Sequence, residues 1–195
     1  MIRPWNRRVL PLLVLLAAVP VAQAAFDDDF TGATLRIDYY HTGTAGQEFF
    51  SLDRMRVEGP WPGSRVWLLD ETDMGKYLVE LVDRKTHRVM FSRGFASIYG
   101  EWETTGEAAS GMFRTLAEAV RVPEPNRPAR LRLRKRGDDG SFREIWQVAV
   151  DPASRFVDRA PLPGGKVQAL LKNGEPAEKV DLLILGDGYT EDRME

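Results

Sequence analysis

The residues that could support metal chemistry are few, because the chain has two histidines and no cysteine. A His-Glu-x-x-His motif places two imidazoles one helical turn apart to hold zinc, with the glutamate as general base. His41 is followed by Thr-Gly-Thr and His87 by Arg-Val-Met, so neither begins such a motif. A site built from both histidines and a carboxylate would require the fold to bring them together. We therefore predict no catalytic, cofactor-binding or metal-binding residue here, with His41 in a loop after a strand and His87 in a hairpin.

Two further motifs carry acidic residues where a functional group could stand. Leu185-Gly186-Asp187-Gly188 is similar to the strand-end Gly-Asp-Ser of a class of esterases, but glycine replaces the serine, so the nucleophile is absent. Asp187 itself could orient a ligand at the end of an α/β strand or cap the next helix. The three consecutive side chains of Asp27-Asp28-Asp29 diverge and no glycine-spaced ligand loop follows them, so they predict a solvated start of the domain rather than a calcium site.

One basic cluster occupies the segment 127–136. Its members are Arg127, Arg130, Arg132, Arg134, Lys135 and Arg136. Alternation along a strand would put Arg130, Arg132 and Arg134 on one solvated face, a pattern that protects an exposed strand. The alternative is an acidic partner, such as another domain of the protein or a polyanionic glycan. The formal net charge of the chain is −2, which argues against nucleic acid as a partner.

Short strands and tight turns must position these residues. Thr34–Tyr40 alternates apolar with polar side chains, which predicts a strand with one buried face. Lys76–Val82 and Arg88–Phe91 flank a polar turn and predict a hairpin. Arg130–Arg134 and Phe142–Val150 predict a second hairpin.

The segment Glu107–Val122 favours helix at its start and strand at its end, so we predict a short helical turn followed by a strand. Strands at this spacing, without a long amphipathic helix, predict a mainly β domain with an antiparallel β-sandwich architecture over residues 25–160.

The first 24 residues have the pattern of an export signal. Arg3, Arg7 and Arg8 precede the apolar run Val9–Val21, and Ala22-Gln23-Ala24 supplies small residues at the cleavage site. We expect an exported protein, periplasmic or extracellular, whose mature chain starts at Ala25. The apolar run is too short to span a bilayer, so no membrane attachment is expected after cleavage.

The pattern of apolar and polar residues changes after a linker at 161–165. Prolines and glycines in this stretch interrupt regular structure. Val180–Leu185 is then almost continuously apolar, as in a strand buried on both faces of an α/β sheet. A turn at 186–189 follows, with Thr190 as a candidate N-cap for a helix starting at Glu191. We expect residues 166–195 to be the truncated start of an α/β domain.

Several blocks of the chain, in the same order, carry a family resemblance. They are Phe26–Phe30, Thr34–Gly43, Trp61–Ser64, Ser92–Ser97, Tyr99–Trp102, Phe142–Ile145 and Lys179–Thr190. All but the last resemble the N-terminal domain of the IgA-peptidase family of secreted zinc metallopeptidases, and the last is similar to the opening of that family's catalytic domain. The resemblance implies a β-sandwich-like domain followed by a peptidase domain that carries zinc on His-Glu-x-x-His.

Two functions follow from this resemblance and from the missing zinc motif. The first is a non-catalytic accessory domain of a secreted zinc metallopeptidase, with zinc in the catalytic domain and no cofactor in this chain. Its partners would be that catalytic domain and a protein substrate. The alternative is a free-standing exported β-sandwich protein that binds a protein or glycan ligand and has lost the peptidase domain.

Overall fold

The computed structural model describes residues 26–164, 169–175, 178–180 and 182–184. Within them the chain forms a helical turn at 26–29, eight strands and two short helices. The strands are β1 (Phe30–Gly43), β2 (Glu48–Pro60), β3 (Tyr77–Asp83), β4 (Val89–Phe95), β5 (Arg114–Pro125), β6 (Ala129–Arg136), β7 (Phe142–Val150) and β8 (Val157–Asp158). The helices α1 (Ile98–Trp102) and α2 (Gly106–Ala109) lie between β4 and β5.

The strands form two four-stranded sheets. Their orders are β5-β1-β2-β8 and β4-β3-β6-β7. Neighbouring strands are antiparallel, except that β8 pairs parallel with β2. Apolar side chains of both sheets pack into one core, as in a β-sandwich; its fully buried members include Leu35, Ile37, Val79, Leu81, Val122, Leu131 and Leu133. The predicted mainly β sandwich is confirmed.

Strand β1 shows why apolar and polar residues alternate. Leu35 and Ile37 are buried and pair with Val122 and Val120 of β5, while Tyr40 on the opposite face is 41% exposed. Burial of each large aliphatic side chain contributes roughly 1.5–3 kcal/mol. A one-residue slip would turn these side chains to solvent, so the alternation determines the register of the strand.

Both predicted hairpins are confirmed, since β3 pairs with β4 and β6 with β7. In the first hairpin, Asp83 Oδ1 accepts hydrogen bonds from the backbone N–H groups of Lys85 and Thr86, both at 2.8 Å. His87 then adopts a left-handed backbone conformation with φ of 61°. The aspartate therefore organises the turn through its own side chain.

The predicted helical turn followed by a strand is also confirmed, as α2 and β5. Thr105 is the N-cap of α2, and its Oγ1 accepts a hydrogen bond from the N–H of Ala108. Helix α1 was not predicted from the sequence; it begins after the N-cap Ser97. Residues 97–113, which carry both helices, are called the helical insert below.

The basic segment 127–136 does not protect an exposed strand, and that prediction was wrong. Strand β6 lies inside its sheet, between β3 and β7. Arg132 Nε donates to Glu80 Oε2 at 2.6 Å, and Arg134 Nη1 contacts Glu80 Oε1 at 3.4 Å. Glu80 is only 6% exposed. Arg132 and Arg134 therefore pair with a buried carboxylate of β3, whereas Arg130 is exposed as predicted. Alternation alone could not show that β7, and not β6, is the edge strand.

The acidic start of the domain is exposed at Asp27 and Asp28, as predicted, but not at Asp29. Asp29 ends the helical turn at 26–29 and is 4% exposed. Its Oδ1 accepts hydrogen bonds from Arg88 at 2.7 Å and Arg127 at 2.5 Å. Two arginines distant in sequence thus offset the cost of burying this carboxylate.

The predictions for the two ends of the chain fall largely outside the described residues. These include the export signal at 1–24 and the turn and helix predicted at 186–195. Of the predicted strand Val180–Leu185, residues 181 and 185 lie outside as well, and the side chains of residues 182–184 are at least 69% exposed. The described part of the linker, 161–164, has no regular secondary structure. No helix in the described ranges has the length and apolar character needed to cross a bilayer.

Candidate functional site

His41 lies in a strand and not in the loop that the sequence predicted. Strand β1 continues to Gly43 because it pairs on both sides, with His41 opposite Phe50 of β2 and Leu116 of β5. The histidine faces inward and is 1% exposed. His41 is thus a buried, ionisable ring near the end of the sandwich.

Both ring nitrogens of His41 contact carboxylates. Nε2 lies 2.9 Å from Glu48 Oε2, and Nδ1 lies 3.2 Å from Glu118 Oε2. The ring stacks on Tyr99, with centroids 3.7 Å apart, and its centroid is 4.0 Å from that of Phe50 on β2. The imidazole is therefore held in its plane by two acceptors and between two aromatic rings.

These contacts favour the charged form of each member. Burial lowers the pKa of His41, but the hydrogen bonds and charges of Glu118 and Glu48 outweigh it and raise that pKa above its ordinary value. Burial raises the pKa of Glu118, but hydrogen bonds from His41, Ser97 and the Tyr99 backbone lower it below its ordinary value. The pKa of Glu48 is likewise lowered, because His41 and Lys135 outweigh burial.

Lys135 extends the cluster to the second sheet. Its Nζ donates to Glu48 Oε1 at 2.8 Å and to Glu103 Oε2 at 2.7 Å. Lys76 also pairs with Glu103. Burial lowers the pKa of Lys135, but the two glutamates outweigh it and raise that pKa. The positive charge of Lys135 on β6 thus pairs with the negative charges of Glu48 on β2 and of Glu103, the residue after α1.

The same cluster anchors the helical insert. Glu118 Oε1 accepts hydrogen bonds from Ser97 Oγ at 2.6 Å and from the Tyr99 N–H at 3.1 Å, at the start of α1. Tyr99 Oη donates to the carbonyls of Thr44 and Gln47, at 2.7 and 3.0 Å. Burial, with the charges of Glu48 and Glu103, raises the pKa of Tyr99 to about 12. The loop after β1 and the first turn of α1 therefore share one set of partners.

A small polar cleft of about 80 Å³ opens beside these residues, with room for a few water molecules. Its lining comprises Thr44, Ala45, Gly46, Gln47, Glu48, Tyr99, Glu103 and Lys135. General acid–base catalysis needs a group that reaches substrate and changes protonation. Here both glutamates of the lining are already paired with Lys135, and His41 lies behind them. The arrangement suits structural electrostatics better than acid–base catalysis.

The described residues do not form a zinc site. Neither nitrogen of His41 is free to bind a metal, since each faces a carboxylate. The ring of Tyr77, at the first residue of β3, has its centroid 5.9 Å from that of His41. His87 follows the last residue of β3, and the seven residues of this strand span roughly 20 Å. The two histidines therefore lie at opposite ends of β3. No group of three or more histidine, aspartate or glutamate side chains among the described residues could hold a metal ion.

Three residues of the cluster were not predicted from the sequence: Glu48, Glu118 and, in its anchoring role, Lys135. One signal was available for Glu118, because it lies on the same face of β5 as Val120 and Val122. A charged residue in such an inward series indicates a buried polar partner. No comparable signal marks Glu48, which follows a loop and meets His41 only through strand pairing.

Comparison with known families places most of the sandwich in one of them. Residues 25–147 match the sequence model of the family described as Peptidase M64 N-terminus, which spans β1 to most of β7. No curated protein matches the chain.

Proposed function

The chain belongs to the Peptidase M64 N-terminus family, the N-terminal region of the IgA peptidase family, and from this we propose that it is the non-catalytic accessory domain of an exported zinc metallopeptidase. The match over residues 25–147 carries the proposal. The accessory domain would support folding of the peptidase domain or docking of its protein substrate.

The chemistry of the two histidines supports a non-catalytic role. Both ring nitrogens of His41 contact Glu48 and Glu118, and His87 is exposed in the turn between β3 and β4. We therefore assign the zinc of the family to a peptidase domain and route no catalytic step through the described residues of this chain.

The segment just before the linker supports a connection to a further domain that leaves the sandwich at a defined position. Arg159 Nη2 donates to Glu124 Oε1 at 2.6 Å, and Thr31 Oγ1 donates to Glu124 Oε2 at 2.5 Å. Arg56 Nη2 also donates to the carbonyl of Ala160 at 3.1 Å. The segment leaving the sandwich is thus tied to β1, β2 and β5 before the proline- and glycine-rich stretch begins. A domain that follows this segment in the chain would be attached at a fixed position on the sandwich.

A zinc and peptidase assay on the whole chain tests the non-catalytic role. We expect the purified chain to retain less than a tenth of an equivalent of zinc after dialysis and to leave casein and fluorogenic peptides intact with zinc added. His87→Gln, which changes the exposed histidine, is the matched variant and should behave identically. Hydrolysis that a chelator abolishes, and that His87→Gln or His41→Gln weakens, would overturn the proposal.

The gene beyond the codon for Glu195 tests the connection to a peptidase. An open frame that reaches a His-Glu-x-x-His motif supports the accessory role. A stop codon directly after Glu195 would instead favour a free-standing exported binding protein.

A further inference from the structure

The His41 cluster joins the two sheets and the helical insert through a single ring. Five elements contribute a titratable or charged group that faces it, directly or through one neighbour. They are Glu48 of β2, Glu118 of β5, Tyr99 of α1, Tyr77 of β3, and Lys135 of β6, which reaches the ring through Glu48. Glu103, after α1, lies one step further away on Lys135. A change of charge on the ring therefore alters the electrostatic interactions of groups on these five elements.

The geometry requires a proton on both ring nitrogens. Carboxylates accept hydrogen bonds and cannot donate them, whereas a neutral imidazole donates from one nitrogen only. The two contacts, 2.9 and 3.2 Å, are both satisfied only by an imidazolium. Loss of one proton would leave a ring lone pair facing a buried carboxylate, which is a repulsive contact.

When the ring becomes neutral, we expect Nδ1 to lose its proton, so that the hydrogen bond to Glu118 is lost. The Nε2 contact to Glu48 is the shorter, and Glu48 is also held by Lys135 at 2.8 Å. The Nδ1 contact to Glu118 is longer, and this glutamate receives the N–H of Tyr99 and the hydroxyl of Ser97 at the start of α1. Displacement of Glu118 by the lone pair would therefore act directly on the cap of the helix.

The insert depends on this end of β1 for further contacts. Trp102 Nε1 donates to the carbonyl of Gly43 at 3.1 Å, two residues after His41. The Tyr99 hydroxyl bridges Thr44 and Gln47, and its ring stacks on His41. Loosening at Glu118 and at the stacked ring would weaken the attachment of α1 and of the loop 44–47 together.

We propose that His41 is a pH-sensitive latch whose imidazolium form holds the helical insert and the loop 44–47 on the sandwich and whose neutral form releases them. The latch stands apart from the accessory function proposed above and depends only on the described geometry. It is fully engaged below the ordinary histidine pKa of about 6.5, and it weakens as the pH rises through the higher pKa of the folded state. The helical insert is the part of the domain whose attachment weakens as the pH rises.

NMR of the His87→Gln variant tests the first half of the proposal, because His41 is then the only histidine. We expect the full chain of this variant to show one imidazole that titrates above pH 6.5 and carries protons on both nitrogens at pH 6. An imidazole that titrates at or below pH 6.5, or that is a single neutral tautomer at pH 6, would overturn the latch.

Hydrogen exchange on the same variant tests the second half. Protection factors, which remove the intrinsic pH dependence of exchange, should fall in residues 97–113 by up to about tenfold per pH unit above 6.5 and level off beyond the pKa of His41. The β3–β4 turn at 83–88 is the internal control and should stay constant. Insert protection that does not change between pH 5.5 and 9.5, or that changes in parallel with the turn, would refute the latch.

Two substitutions separate the latch from a purely structural contact. Glu118→Gln keeps an acceptor and removes the charge, so it should lower the pKa of His41 and shift the loss of protection to lower pH. His41→Gln should lower insert protection and abolish its pH dependence. A pH dependence that persists in His41→Gln would assign it to another group and overturn the proposal; if that variant does not fold, the Glu118→Gln shift decides.

Discussion

Replacement of Arg127 by methionine should reveal how far one guanidinium stabilises the end of the sandwich away from the helical insert. Arg127 Nε donates to Asp83 Oδ2, and Nη2 donates to Asp29 Oδ1, both at 2.5 Å. Asp83 is 2% exposed and Asp29 is 4% exposed. Methionine retains an apolar stem of similar length and removes the whole guanidinium, including Nη1, which donates to the Asp28 carbonyl at 2.9 Å and to Asn126 Oδ1 at 3.0 Å.

The expected cost follows from what each carboxylate keeps. Removal of one partner of a buried ion pair costs about 3–5 kcal/mol. The Arg127 side chain is 35% exposed, which reduces the value of the pair. Asp83 retains two backbone N–H donors, and Asp29 retains Arg88. We therefore expect a loss of about 2–3 kcal/mol at pH 7, or roughly 10 °C in melting temperature for a domain of this size.

Urea denaturation of the full chain at pH 7 measures this loss. Arg88→Met is the matched control, because the Arg88 side chain is 55% exposed and Asp29 would keep Arg127. We expect the control to lose less than about 1 kcal/mol. A loss below about 1 kcal/mol for Arg127→Met, or equal losses for the two variants, would refute the reasoning that burial makes Arg127 the principal partner.

Three further predictions concern acid, packing and export. Hydrogen bonds from Arg127 and from the turn hold the pKa of Asp83 well below its usual range, so its contribution is present above about pH 4 and lost as the pH falls further. An acid titration of the free energy of unfolding should therefore fall more steeply in the wild type than in Asp83→Asn, and parallel curves would contradict this. Gly43→Ala places a methyl group against the Gln47 carbonyl and the Tyr99 hydroxyl, and calorimetry should show a loss of about 1–3 kcal/mol. Gly46→Ala, whose methyl group meets no atom within 4 Å, should change stability by less than about 0.5 kcal/mol, and equal losses would argue against the clash. Mass spectrometry of the protein exported by its natural host should find a first residue of Ala25, and recovery of the intact Met1 form would exclude signal cleavage.

The strand pattern of the sandwich was predictable because it is local. Leu35 and Ile37 alternate with polar neighbours, and the turn at Asp83 contains the residues that organise it. The positions at which a hairpin turns, and the face that each strand buries, depend on side chains within a few residues of one another. The short helix before β5 is readable for the same reason, since Thr105 caps it three residues before Ala108.

The cluster around His41 could not be predicted in this way. The sequence placed the histidine in a loop, because the residues after it are those of a turn. Pairing of β1 with β2 and β5 instead extends the strand three residues beyond the predicted end at Tyr40, to Gly43, and buries the ring. Glu118 lies 77 positions from His41 in the chain, so their contact exists only after the sheet has formed.

The partners of the charged residues in the basic segment could not be predicted from the sequence either. Alternation correctly put Arg132 and Arg134 on one face of a strand, but only the order of strands shows that β6 is internal and that Glu80 faces them. The sequence by itself therefore determined the β class, the hairpins and the absence of a His-Glu-x-x-His motif. Tertiary structure alone decided which charges are buried and which partners they meet, because desolvation and ion pairing depend on the distance between side chains in space and not on their spacing along the chain.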